Sequence, residues 1–159
     1  MHAKATVLVA AVLLAFAAAS FAAESPTRAE YVARLEKICK PGSDATQEAV
    51  RGVRKDIRAE RLAVAGRKFA RAEKIFAATV RSIAPVPRPV ADRVTLSRWF
   101  TALGREKLYL GQMVATLRAD DVAGFQRVSA RFIHEGNRAN NAVVSFGFNY
   151  CSFKPTRFQ

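Results

Sequence analysis

The placement of the two cysteines constrains the fold of this chain more than any other sequence feature. Cys39 lies near the start of the 159-residue sequence, Cys151 lies near its end, and there is no third cysteine. A disulfide between them requires their Cα atoms to come within about 7 Å of each other. It would close a loop spanning most of the chain, which the chain-entropy estimate values at roughly 4 to 5 kcal/mol of stability.

The first 23 residues indicate that the chain is exported, which would allow the disulfide to form. Lys4 gives a positive start, residues 5–23 carry no charge, and Ser20 and Ala22 are small residues at the −3 and −1 positions of a signal-peptidase site. We expect a signal peptide over residues 1–22 and a mature domain over 23–159, secreted or held in the cell envelope. Alternatively, residues 5–23 are retained as a membrane anchor, because spanning a bilayer takes roughly 20 residues.

Helical spacing of apolar residues dominates the mature part, and no stretch before residue 146 alternates as a strand would. Thr27 and Glu30 have the spacing of a capping box, so a first helix should begin there and stop at Pro41-Gly42. Four longer passes should follow, over residues 43–60, 62–83, 90–119 and 121–146. The stretches 57–63 and 117–123 resemble each other and predict two tight turns, near Glu60 and Asp120, in each of which an acid should cap the helix that follows.

These elements predict an all-α antiparallel helical bundle, with four main passes plus a short N-terminal helix, closed by one disulfide. An even number of antiparallel passes returns the chain to the pole where it started, which makes the bond between Cys39 and Cys151 possible. Beyond Ser145 the aromatic residues Phe146, Phe148 and Tyr150 alternate with small or polar ones. This spacing predicts an extended tail whose rings lie on the bundle.

The net charge of the mature domain limits the kinds of partner that it is expected to bind. Without Lys4 it keeps 25 basic and 13 acidic side chains, a formal charge of +12, which attracts anions. Because the chain is expected to be exported, nucleic acid is not an expected partner. The candidate partners are an anionic lipid, a wall polymer or an acidic protein. Residues 51–81 hold ten basic and three acidic side chains. The candidate anion-binding residues there are Arg51, Arg54, Arg58, Arg61, Arg67, Arg71 and Lys74. The alternative is an ordinary solvated surface of an amphipathic bundle.

A second, smaller cluster is formed by Asn137, Asn140 and Asn141, near the end of the last predicted helix. Amide side chains are unfavourable in a helix interior unless they find hydrogen-bond partners. They therefore indicate either a small polar binding site beside the disulfide or bonds to neighbouring helix ends and to the tail.

No residue pattern in the chain is typical of catalysis or of metal binding. His134 is the single histidine of the mature part and lies on a basic helix face without a second ligand. A nucleophile needs a base beside it, haem attachment needs a Cys-x-x-Cys-His motif, and Asp120-Asp121 is explained more simply as a helix cap. We expect a non-enzymatic protein without a metal or other cofactor; the alternative is an envelope enzyme or a cofactor or metal carrier.

Three stretches together carry a resemblance to a known group. They are the capped helix that bears Cys39, residues 68–72, and above all residues 139–151 with Asn140-Asn141 and the alternating aromatics. They resemble uncharacterised exported helical proteins of high-GC Gram-positive bacteria. The resemblance implies export and a helical fold, and it implies no activity, cofactor or catalytic residue.

Overall fold

The computed structural model describes residues 25–152, which form four long α-helices, one short α-helix and no strand. The α-helices are α1 (Arg28–Ala49), α2 (Val53–Arg58), α3 (Leu62–Ile83), α4 (Arg93–Arg118) and α5 (Val122–Ala142). Single 3-10 turns precede α4 (Val90–Asp92) and follow α5 (Val144–Phe146). The leader or anchor expected over residues 1–22 or 5–23 lies outside the described residues, as does the segment 153–159.

The long helices pack in chain order, with α1 on α3, α3 on α4, and α4 on α5. The predicted all-α bundle of four passes is therefore confirmed. Its core has two halves, one around Trp99 and Tyr31 and the other around Met113 and Phe125. Between residues 25 and 152, no helix has the length and apolar character needed to cross a membrane.

The start of α1 is fixed by its own cap and by an ion pair with the 3-10 turn that precedes α4. The Thr27 hydroxyl accepts from the backbone N–H of Glu30 at 3.2 Å, and the Glu30 carboxylate accepts from the backbone N–H of Thr27 at 2.8 Å. This is the predicted capping box. Arg28 then donates to both carboxylate oxygens of Asp92, at 2.6 and 3.0 Å. The starts of α1 and α4 therefore lie at the same pole.

Pro41 and Gly42 do not end the first helix, and that prediction was wrong. Helix α1 continues through both residues to Ala49, so it forms the first pass itself, and the short helix is α2, which follows it. Gly42 lies directly against Thr79 of α3, where a Cβ atom would collide. Packing of this face on α3 holds the helix together although Pro41 cannot donate its backbone hydrogen bond.

The two predicted tight turns are confirmed, and they share one geometry. Glu60 and Asp120 both adopt left-handed backbone, with φ of 55° and 53°. In each turn the next N–H reaches back to the helix, from Arg61 to the Asp56 carbonyl and from Asp121 to the Thr116 carbonyl, both at 2.9 Å. This is the Schellman arrangement, which ends one helix and redirects the chain.

The acids in these turns were expected to cap the following helices, and only one of them does. Asp121 accepts from the backbone N–H of Gly124 at 2.7 Å, at the start of α5. Glu60 instead occupies the left-handed position that closes α2, and no side chain caps α3. The turn at Glu60 therefore depends on backbone geometry and on the packing of α2 against α3.

The predicted disulfide is present, and it joins Cys39 to Cys151 with 5.1 Å between the Cα atoms. Cys39 lies midway along α1, however. An even number of antiparallel passes predicts a position at one pole of the bundle instead. The difference arises because α5 ends at the pole of Arg28 and the tail then turns back along α1. The disulfide therefore ties the tail to the middle of the first helix.

The tail is held by rings and by one carboxylate. Phe148 stacks between Trp99 and Phe146, at 5.3 and 5.5 Å between ring centroids, so the prediction that its aromatics lie on the bundle is confirmed. Its backbone bends at Gly147 and does not extend. The Glu36 carboxylate then accepts from three successive backbone N–H groups, those of residues 149–151, at 3.0 to 3.3 Å.

Candidate functional site

A cleft runs through the bundle because α1 and α5, the first and last helices of the row, do not pack extensively against each other. Its volume is about 320 Å³, with α1 and α2 on one side, α5 on the other, and α3 and α4 as the floor. An engineered apolar cavity of about 150 Å³ already binds benzene, and ligand pockets begin near 300 Å³. This space, hereafter the central cleft, is large enough for a small molecule.

The walls of the central cleft are mainly apolar, and its rim is open to solvent. The disulfide and Tyr150 border one end, and Val53 and Ile57 of α2 border the other. The large apolar side chains of the interior include Phe69, Phe76, Trp99, Leu103, Leu110, Met113, Phe125 and Phe132. Gln47, Arg54 and Ile133 line the cleft and are exposed, so they mark the edge through which a molecule would enter.

Glu106 interrupts this apolar lining from the floor. Its side chain is only 2% exposed, and no described residue hydrogen-bonds to its Oε1. Burial, and secondarily the Glu135 carboxylate on α5, raises the pKa of Glu106 to about 8. At neutral pH the group is therefore mainly the uncharged acid, which can donate a hydrogen bond.

The charged neighbour of Glu106 is itself paired with basic side chains. Glu135 is bound by Arg138 at 3.1 Å and approached by Arg105 at 3.6 Å. Ser129 of α5 also lines the central cleft, and its buried hydroxyl has no partner among the described residues. Two potential hydrogen-bond donors thus line one apolar space.

The predicted anion-binding residues are all exposed, on or beside α2 and α3. Lys68 connects the two helices, donating at 2.6 Å to both the Arg51 carbonyl and the Asp56 carboxylate. Lys68 and then Arg61 hold the pKa of Asp56 below its ordinary value. Arg51 pairs with Glu48. Within residues 25–152, no ion pair involves the rest of the predicted set, namely Arg54, Arg58, Arg67, Arg71 and Lys74.

The predicted asparagine cluster is divided between two environments. Asn137 and Asn141 are exposed, whereas Asn140 is half-buried and lines the central cleft. His134 is exposed on α5. In the described part of the chain, no three His, Cys, Asp or Glu side chains are grouped as metal ligands would be.

Sequence reasoning missed Glu106, Ser129 and the central cleft itself. A usable signal was present for Glu106, because it falls on the apolar spacing of α4 between Leu103 and Leu110. A charged residue on such a stripe is buried unless the helix is rotated. Ser129 and the separation of α1 from α5 carry no comparable local signal.

Comparison with protein-family models, with curated proteins and with solved structures finds no match for this chain.

Proposed function

We propose that this protein is an exported, non-enzymatic binding protein that carries an elongated apolar molecule in the central cleft. The observation that supports the proposal is the continuous apolar lining, which draws on every helix and ends at an exposed rim. Burying apolar surface of a ligand there is favourable by roughly 25 cal/mol per Å². It also restores dispersion contacts that the side chains facing an open space lack.

The arrangement fits a carrier better than an enzyme. Acid–base or nucleophilic catalysis needs two or more reactive groups in mutual contact around the reacting atoms. The central cleft instead offers separate polar groups, among them the buried oxygens of Glu106 and Ser129, in a mainly apolar wall. Ligand pockets of this composition use a few polar groups to orient a molecule held by apolar contact.

The test uses Trp99, the single tryptophan of the chain, which lines the central cleft. The uncharged dye N-phenyl-naphthylamine is titrated into the mature, oxidised protein while tryptophan emission is recorded. We expect saturable quenching at one dye per protein. Ala72→Leu places extra carbon atoms in the cleft and should weaken binding about tenfold, since overpacking costs 1–3 kcal/mol.

The matched control is Ala78→Leu, the same change on an exposed position of the same helix. It should bind the dye as the wild type does. Equal binding by both variants, or no saturable binding by the wild type, would refute the proposed function.

A second proposal concerns where the protein works. We propose that the exposed basic residues of α2 and α3 attract an anionic lipid or wall polymer of the cell envelope, or an acidic protein. Arg54 supports this, because it belongs both to that surface and to the rim of the central cleft. A carrier attracted in this way would bring its opening toward an anionic surface.

Binding to vesicles that contain phosphatidylglycerol tests this second proposal. Reversing the unpaired arginines to Glu should abolish binding, and raising the salt from about 0.1 M to 1 M should do the same, because the Debye length falls to about 3 Å. The reversed residues are Arg54, Arg58, Arg67 and Arg71. The control reverses four exposed basic residues of α4: Arg93, Arg98, Lys107 and Arg118. Equal loss in both variants would mean that net charge alone attracts the protein.

A further inference from the structure

Glu106 is the least expected residue of the central cleft, because its carboxyl group lies on the buried face of α4, where the neighbouring side chains are apolar. It is almost fully buried, and its Oε1 has no hydrogen-bond partner among the described residues. Leaving a buried polar atom unpaired costs free energy, and a ligand that bonds to it removes that cost. The unpaired oxygen therefore indicates the chemistry of the molecule that the cleft holds.

The charges around Glu106 decide which form of the carboxyl a ligand meets. Glu135 on α5 opposes ionisation of Glu106, and Glu135 itself is paired with Arg138 and Arg105. On the facing helices α1 and α3 the polar side chains of the lining are uncharged: Ser43, Thr46, Gln47 and Thr79. Among the described lining residues the only basic one is Arg54, at the exposed rim.

We propose that the neutral carboxyl of Glu106 donates a hydrogen bond to a carbonyl oxygen of the ligand, which is an uncharged, elongated, apolar molecule. This inference rests on the proposed carrier function and narrows it to one ligand class. The raised pKa of Glu106 agrees with a donor at neutral pH. Ser129 provides a second unpaired hydroxyl in the same lining.

Other ligand classes fit these groups less well. A pure hydrocarbon leaves the Glu106 and Ser129 oxygens unpaired in an apolar environment, at a cost in affinity. An alkylammonium requires Glu106 to ionise close to Glu135, which burial and like charge both oppose. A carbonyl oxygen accepts one or two hydrogen bonds without bringing any charge into the cleft.

Three probes with ten carbon atoms each test the inference on the mature, oxidised protein at neutral pH: decane, methyl octyl ketone and decylammonium. Each displaces N-phenyl-naphthylamine, and the tryptophan emission reports its affinity. We expect the ketone to bind about tenfold more tightly than decane, which is the effect of one well-formed hydrogen bond. Decylammonium should bind more weakly than the ketone.

Substitutions at Glu106 then assign the preference to this side chain. Glu106→Leu should lose about tenfold in ketone affinity and bind the ketone no better than decane. Glu106→Gln keeps an N–H donor and should keep the preference. Gln112→Leu, which places a leucine on the exposed side of the same helix and outside the cleft lining, is the control and should match the wild type. Circular dichroism establishes that each variant is folded.

Failure of this inference differs visibly from failure of the proposed function. If decane and the ketone bind equally while Ala72→Leu weakens both, the cleft is a binding site and the role of Glu106 is refuted. The role of Glu106 is also refuted if decylammonium binds more tightly than the other two probes, or if Glu106→Leu binds the ketone as tightly as the wild type does. If no probe binds at all, both the carrier function and the ligand class are refuted.

Discussion

Replacing Glu106 with glutamine should stabilise the protein strongly at pH 8 and only slightly at pH 5. Burial and the nearby Glu135 raise the pKa of the Glu106 carboxyl from its ordinary 4.5 to about 8 in the folded protein. Glutamine has nearly the same shape and never ionises. The variant therefore removes an electrostatic cost that the wild type carries whenever its unfolded chain is ionised at this position.

The direction of the pH effect follows from proton binding. The unfolded chain releases the proton near pH 4.5, and the folded protein retains it until about pH 8. Between these values the folded state binds more protons, so the wild type loses stability as the pH rises. Each pH unit costs up to about 1.4 kcal/mol. The cost is therefore about 1 kcal/mol at pH 5 and about 4 kcal/mol at pH 8.

Urea unfolding followed by far-ultraviolet circular dichroism measures this difference at several pH values. We expect the stability gained by Glu106→Gln to be about 3 kcal/mol larger at pH 8 than at pH 5. Met113→Leu changes the same buried face without removing a titrating group, so it should follow the pH dependence of the wild type. A gain that is the same at both pH values would refute the reasoning, because Glu106 would then not be held neutral by the fold.

Three further outcomes follow from the fold and the sequence. Glu36→Ala removes the acceptor of three tail N–H groups. It should lower stability by about 1–2 kcal/mol and speed amide exchange at residues 149–151; unchanged exchange would contradict this. Gly42→Ala should destabilise by about 1–3 kcal/mol through its collision with α3. The control Gly104→Ala, which meets no atom within 4 Å, should stabilise by about 0.5–1 kcal/mol in urea unfolding. Mass spectrometry of the exported protein should show the loss of residues 1–22; an intact leader on a membrane-bound product would support the anchor.

Much of the fold was predictable because it depends on local signals. The capping box at Thr27, the left-handed turns at Glu60 and Asp120, and the apolar stripes of the long helices are set by neighbouring residues in the sequence. The pairing of Cys39 with Cys151 followed from there being only two cysteines in a chain expected to be exported.

Other features depend on contacts that sequence spacing does not record. Pro41 is a helix stop by local rules, yet α1 continues through it and packs on α3, with Gly42 directly against Thr79. The central cleft exists because α1 and α5 do not close against each other, which is a property of the whole bundle. Glu106 could have been noticed on its stripe, but its unpaired oxygen and its neighbour Glu135 become evident only when α4 and α5 are packed together.

A crystal structure of the mature, oxidised protein with methyl octyl ketone tests the central claim most directly. We expect one ketone in the central cleft between α1 and α5, with its chain along Phe69 and Phe125 and its oxygen within hydrogen-bond distance of Glu106. The same crystals of Ala72→Leu should lack it. A cleft filled by inward movement of α1 or α5, or a ketone bound only outside the bundle, would contradict the account.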